Sequence, residues 1–236
     1  MVQHYLQQAS TYAADIDDII MLVMLLVGFW FVLAEILLIG LTVRYRRRKG
    51  VKAQYISGES MKHQRWILVP LVLIVLCDIY IAVADGAVWD KVKLHTPENP
   101  AGVVRVTAQQ WAWTFVHAGP DGKLDTADDI TMMNEMHVEV DKPYLFELGS
   151  LDVLHSFSVP VFRLKQDAIP GRIITGWFEA TKTGNFSIQC TEICGIGHGL
   201  MPARIIIESQ EQHAAWMADN SAIRIAAAVS PATSEE

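Results

Sequence analysis

Two long apolar runs constrain this chain more than any other feature. From Ile19 to Val43 the only charged residue is Glu35, and from Trp66 to Ala84 the only one is Asp78. Each run is long enough for a helix to cross a hydrocarbon core about 30 Å thick. Two buried helices of a soluble protein would need a larger core than the remaining residues supply, so a membrane hairpin is expected. A carboxylate facing lipid costs about 3 kcal/mol or more. Glu35 and Asp78 should therefore face protein or water, which suits packing against a larger membrane partner.

The charges flanking the runs give an orientation, because Lys and Arg accumulate in short cytoplasmic loops. Between Arg44 and Arg65 lie Arg44, Arg46, Arg47, Arg48, Lys49, Lys52, Lys62 and Arg65 against the single acid Glu59, a local charge of +7. Residues 1 to 18 hold Asp15, Asp17 and Asp18 and no Lys or Arg. Both ends are thus expected outside. Subtracting the loop's +7 from the total of -7 leaves -14 for the rest of the chain, most of it after residue 85. An acidic outer domain suits a basic protein partner and repels nucleic acid. The first run lacks a basic leader and exceeds the usual length of a signal core, so it reads as a retained anchor.

Pro97, Pro100 and Gly102 close a connector, and beyond it the pattern changes to short segments rich in Val, Ile, Phe and Trp. These are Val103–Ala108, Trp111–Val116, Met136–Val140, Tyr144–Leu148, Ile173–Ala180, Phe186–Cys190 and Ala203–Glu208, separated by turn residues such as Asp121-Gly122, Pro170-Gly171 and Thr183-Gly184-Asn185. Short strands at this spacing predict a sandwich or barrel. The expected organisation is a membrane segment over 1–96 (spans 19–43 and 66–84), a β domain over 97–210, and over 211–236 a short helix and a disordered tail. That helix is expected from Gln210 to Met217, and the tail from Ala226 to Glu236. Asp121, Asp125, Asp128 and Asp129 cluster in one loop without EF-hand spacing, which favours a solvated acidic hairpin over a calcium site. Cys77, inside the second run, reads as inert packing.

The strongest chemical signal is Cys190-Thr-Glu192-Ile-Cys194-Gly-Ile-Gly-His198-Gly-Leu-Met201, preceded by His155 in Asp152-Val-Leu-His-Ser156. Thiolate, imidazole and thioether are soft ligands that select copper over magnesium or calcium, and a weak Met beside Cys and His describes an electron-transfer copper site. Cys190 is surplus for one copper, and a count of two thiolates, two imidazoles and one thioether suggests sulfurs shared by two metals. A zinc site of Cys190, Cys194, His198 and His155 would leave Met201 unused. A Cys190–Cys194 disulfide is feasible in an oxidising compartment. Trp111 and Trp113, two apart on a strand, share a side, so periodicity does not choose which is on the surface.

The Cys-x-Glu-x-Cys-Gly-x-x-His-x-x-Met run resembles the CuA signature of cytochrome c oxidase subunit II. The two-run hairpin, Gln110-Trp111-Ala112-Trp113, Asp152-Val-Leu-His-Ser156 and Asp167-Ala-Ile-Pro-Gly-Arg172 stand in that family's order. The resemblance implies an α+β membrane protein, with a two-helix hairpin carrying a cupredoxin-like Greek-key β barrel. It implies two copper ions held by His155, Cys190, Cys194, His198, Met201 and the backbone carbonyl of Glu192, whose side chain would bind magnesium at the border with the catalytic subunit. Trp111 becomes the point where electrons from cytochrome c enter, and Asp152 and Asp167 belong to the docking face. The implied partners are haem-copper oxidase subunits I and III, cytochrome c and a copper chaperone. The implied location is a bacterial plasma membrane with the copper domain and both termini periplasmic, and a mitochondrial inner membrane is the alternative.

No Cys-x-x-Cys-His occurs, and two spans are too few to enclose haem, so this chain is expected to carry electrons without binding oxygen itself. Two rival functions stay open: the copper subunit of a nitric oxide reductase, and a membrane-tethered copper carrier. The chain departs from the family pattern at Ala112, where an aromatic residue is usual, at Phe157, where the family often has Trp, and at His63, where a glutamate often opens a proton channel. Glu59 lies one helical turn earlier.

Overall fold

The computed structural model describes residues 7–229, with side chains through residue 221. Its contacts divide the chain into two units, one running from Asp15 to Lys91 and the other formed by the residues on both sides of it. The sequence boundary at residue 96 therefore moves. Residues 7–14, expected with the membrane segment, belong to the β unit.

The Asp15–Lys91 unit holds most of α1 (Ala13–Arg44) and all of α2 (Met61–Trp89). Both are long and apolar enough to cross a membrane, and their most apolar stretches bury nothing within the chain. A core helix of a soluble protein would be mostly covered. Asp15 in the first turn of α1 and Arg44 in its last complement the helix dipole. Lys91 donates to the Asp15 carboxylate at 2.6 Å, across the base of the hairpin. Glu35 and Asp78 are exposed on the helices. His63, near the start of α2, meets the Ser60 hydroxyl at 3.0 Å.

The β unit has two five-stranded sheets. The first has the order β3 (Ile130–Met133), β2 (Ala112–His117), β1 (Gly102–Gln109), β5 (Pro143–Ser150), β8 (Ile174–Glu179). The second has the order β4 (Glu135–Glu139), β10 (Ala203–Glu208), β9 (Gly184–Cys190), β6 (His155–Val159), β7 (Leu164–Ala168). The pairs β1–β5 and β4–β10 are parallel and the rest antiparallel, so sequence neighbours are split between the sheets in the cupredoxin-like manner expected. Alternate residues of each sheet meet in one core. Phe157 of β6 packs against Phe115 and Phe146 of the opposite sheet, at centroid distances of 6.4 and 5.9 Å.

The seven expected strand segments are present. β3, β6 and β7 were missed: β6 is buried along its whole length and so shows no alternation, and β7 is largely polar. The C-terminal helix α3 (Gln210–Val229) is longer than expected and takes in Ala226 to Val229 of the predicted tail; residues 230–236 lie outside the described residues. Trp216 on α3 stacks on His137 at 4.3 Å, and Glu208 accepts from the imidazoles of His137 and His213, each at 2.9 Å. In the acidic loop, Arg105 grips Asp125 at 2.7 Å, and Asp128 and Asp129 accept bonds from Thr126 and the Asp125 peptide. These carboxylates brace a turn.

Residues 9–13 complete the β unit from the other side of the hairpin. Ala9, Tyr12 and Ala13 are fully buried, Ser10 bridges Ala180, and the Ala9 N–H reaches the Val161 carbonyl at 2.9 Å. The Tyr12 hydroxyl donates to the Trp177 carbonyl at 3.2 Å, and the Trp177 indole N–H donates to the Val92 carbonyl at 3.0 Å.

Candidate metal centre

Three loops meet at one end of the sandwich: the β1–β2 turn, the loop leading to β6, and the long loop between β9 and β10. β9 ends at Cys190, and β6 begins at His155. The pairing of Phe157 with Cys190 sets these two strands side by side, which brings residues 35 apart in sequence into contact.

The sulfur atoms of Cys190 and Cys194 lie 3.8 Å apart, well beyond the roughly 2.05 Å of a disulfide, and all three cysteines of the chain are unlinked. Cys190 Sγ is 3.8 Å from His155 Nδ1 and 3.3 Å from the Glu192 carbonyl oxygen. Cys194 Sγ is 3.6 Å from His198 Nδ1 and 3.4 Å from Met201 Sδ. Each sulfur thus has its own imidazole nitrogen and its own third donor. His155 is fully buried, and Cys194 and Met201 nearly so. Burial, then the neighbouring Cys190 thiol, pushes the Cys194 thiol up to about 11. Metal binding there must expel a proton, which couples uptake to pH.

The donor set fits a pair of soft metal ions better than a single zinc. Two thiols 3.8 Å apart, each beside its own imidazole, would give each of two ions a thiol and an imidazole, with the thioether and the carbonyl left as weaker donors. Among the described residues, His155, Cys190 and Cys194 form the group compact enough to hold an ion.

Surrounding side chains hold the donors. The Trp113 indole N–H donates to the Met201 carbonyl at 3.1 Å, and its ring packs edge-on against His155 at 6.1 Å. Trp113 is completely buried, whereas Trp111 is 39% exposed. The shared face expected from their spacing does not arise, because Trp111 precedes β2 and is free of its alternation. The Trp111 ring closes over the ligand loop: a Cβ on Gly197 would overlap Trp111 Cδ2, Cγ and Cε3. Only glycine permits that approach.

Asp152, expected on a docking face, is an exposed residue whose carboxylate is engaged on both oxygens. One oxygen accepts from His155 Nε2 at 2.9 Å and the other from the Gln110 peptide N–H at 2.6 Å. Its partial burial opposes ionisation, but the bonds from His155, Gln110 and Val153 outweigh it and hold the carboxyl below its ordinary range. Asp167 is half-buried on β7, opposite Ser156. The Glu192 side chain is half-buried. Sequence reasoning missed the exposed apolar residues Leu151, Ile193, Ile196 and Leu200 on the two loops that carry the donors, of which Ile196 is 95% exposed. Alternation within strands gives no signal for residues in irregular loops.

A family model described as cytochrome c oxidase subunit II, periplasmic domain, matches residues 103–210. The alternative cytochrome c oxidase subunit 2 of Bradyrhizobium diazoefficiens is 31% identical over 225 residues, covering 86% of this chain and 79% of that protein. Cytochrome c oxidase subunit 2 of Thermostichus vulcanus is 27% identical over 272 residues, covering 93% and 79%. Among solved structures, the periplasmic domain of subunit II of the Bradyrhizobium japonicum cytochrome oxidase is similar, with a TM-score of 0.49 and 30% identity over 55% of this chain and 99% of that one. The similarity to the Bradyrhizobium diazoefficiens protein covers 86% of this chain, and the segment matched by the family model contains His155, Cys190, Glu192, Cys194, His198 and Met201, so the chain belongs to the cytochrome c oxidase subunit II family.

Proposed function

We propose that this chain is the electron-accepting subunit of a respiratory cytochrome c oxidase, taking single electrons from cytochrome c outside the membrane at a pair of copper ions and passing them to haem in a separate catalytic subunit that reduces oxygen to water. The observation that carries this reading is the two thiols 3.8 Å apart, each flanked by its own imidazole nitrogen and third donor. When bound, a copper pair would supply a one-electron centre whose charge is spread over two metals. His155, Cys190, Cys194, His198 and Met201 would hold it by their side chains and Glu192 by its carbonyl, with the Glu192 carboxylate left for magnesium at the border with the catalytic subunit.

The remaining residues serve access and stiffness. Trp111 is both solvent-accessible and in van der Waals reach of the ligand loop, the two properties an electron portal requires. Exposed Leu151, Ile196 and Leu200 offer apolar contact to a docked cytochrome, and Asp167 and the acidic surface steer its basic face at a rate that falls with salt. The buried shell of Trp113, Phe157 and His155 limits rearrangement when the charge changes. A copper carrier needs an exchangeable site, and the burial of His155, Cys194 and Met201 favours electron transfer over that function.

In this reading α1 and α2 cross a bacterial plasma membrane with the basic loop from Arg44 to Arg65 in the cytoplasm, the β unit is periplasmic, and subunits I and III and a copper chaperone are partners. Electron paramagnetic resonance of the copper-loaded full chain in detergent tests it. A seven-line hyperfine pattern, from one electron shared by two copper nuclei, is expected, and a four-line pattern would sink the proposal.

A further inference from the structure

The two halves of the metal centre come from separate parts of the chain, and Gln110 is bonded to both. Its peptide N–H donates to Asp152 Oδ2 at 2.6 Å, and the other oxygen of that carboxylate accepts from His155 Nε2 at 2.9 Å. Its side-chain amide Nε2 donates to the Cys194 carbonyl at 2.8 Å. One residue in the β1–β2 turn is therefore tied to the imidazole beside Cys190 and to the backbone of Cys194.

The contact with Cys194 falls where the loop is most constrained. Gly195 follows with φ +122, a conformation that L side chains rarely adopt, and a Cβ there would come within 2.9 Å of Gln110 Nε2. The Cys194–Gly195 peptide is thus oriented by a special backbone angle on one side and by the Gln110 amide on the other. That peptide orientation helps to set where Cys194 Sγ points, relative to Cys190 Sγ at 3.8 Å and Met201 Sδ at 3.4 Å. The next residue, Trp111, covers Gly197 two positions further along the same loop.

We infer that Gln110 is a positioning residue of the copper pair, holding the His155 side and the Cys194 side at a fixed separation through the Asp152 carboxylate and the Cys194 carbonyl. The inference rests on the copper-pair reading above. Gln110 is exposed, so its amide is not required to fill the core. Its expected effect lies in the geometry of the donors and not in the stability of the fold. A side chain of the same length without the donor should loosen the Cys194 peptide, and a carboxylate in its place should repel the carbonyl.

The test uses the full chain in detergent as wild type, Gln110→Met and Gln110→Glu, each metal-free and copper-loaded. Three quantities are read: the copper hyperfine pattern with its visible spectrum, the reduction potential, and the rate at which a chelator removes copper. Supporting it would be a shifted hyperfine pattern and potential in Gln110→Met, copper loss faster by about tenfold, larger changes in Gln110→Glu, and unchanged melting of the metal-free forms. Variants matching wild type in all three readouts would overturn the inference alone. Equal loss of melting temperature with and without copper, at an unshifted spectrum, would also overturn it. A wild-type chain without the seven-line pattern would overturn the copper-pair reading, and the inference with it.

Discussion

Asp152 accepts the Nε2–H of His155 at 2.9 Å, which leaves the Nδ1 lone pair of the same ring directed to the Cys190 side of the metal centre. A carboxylate that fixes a ligand tautomer typically contributes 10- to 100-fold in metal affinity. Asp152→Ala is therefore expected to weaken copper retention by about that factor in competition with a chelator. Had Asp152 served only as a docking charge, retention would stay at the wild-type level and only the salt dependence of cytochrome c association would change.

The two tryptophans of Gln110-Trp111-Ala112-Trp113 should separate electron transfer from stability. Trp111→Ala removes a ring that is partly exposed but packed over Gly197, and should cost about 1–3 kcal/mol while slowing reduction by cytochrome c in stopped-flow, a rate that Trp113→Phe should leave unchanged. Trp113→Phe leaves the buried Met201 carbonyl without its donor and should cost about 1–3 kcal/mol. Urea unfolding followed with rapid mixing on the same preparations tests both. A slow-reducing Trp113→Phe with unchanged stability would reverse the assignment.

His117 sets an acid limit on the β unit. Burial is the main cause that pulls it down to about 3, with the Ile130 carbonyl opposing and His137 and His213 adding to the shift. Because its folded value lies below the ordinary value of 6.5, the unfolded chain binds the extra proton between these limits. The stability that neutral His117 supports is complete above pH 6.5 and lost as pH falls toward 3. The loss amounts to about 2 kcal/mol between pH 6.5 and 5. His117→Gln should flatten that slope, read from urea midpoints with Trp216, whose ring lies 5.0 Å away, as the reporter.

Glu208 joins α3 to the sheet through two imidazoles, His137 on β4 and His213 on the helix. Glu208→Ala should cost about 3 kcal/mol and release α3 first. Hydrogen exchange would show the helix amides losing protection before those of β10. Simultaneous loss in both elements would mean that the clasp does not hold α3 by itself.

What was legible in the sequence follows from how each feature is encoded. The apolar runs and the Cys190–Met201 segment are continuous, so length and spacing revealed the helices, the strands flanking the loop and the cluster of Cys190, Cys194, His198 and Met201. The role of Asp152 was not legible, since its partners Gln110 and His155 become neighbours only when the loops after β1 and before β6 converge. Trp111 and Trp113 were indistinguishable because the alternation argument assumes a strand that begins one residue too late to include Trp111. β6 escaped notice because both of its faces are buried. The acceptance of residues 9–13 into the β unit left no pattern at all, being a fit between a short segment and a slot around Phe162 and Trp177.

That slot changes what the smallest faithful copper domain is. Ala9, Ser10 and Tyr12 precede α1, while Val92, held by Trp177, follows α2. The hairpin thus departs from and returns to one folded body, and its two outer ends are stapled there independently. A chain nicked by protease in the exposed stretch between Arg46 and Glu59 would remain a non-covalent whole. A fragment begun at Val92 would instead carry an open cleft where Tyr12 belongs, so it needs residues 7–14 supplied as a tethered or added peptide.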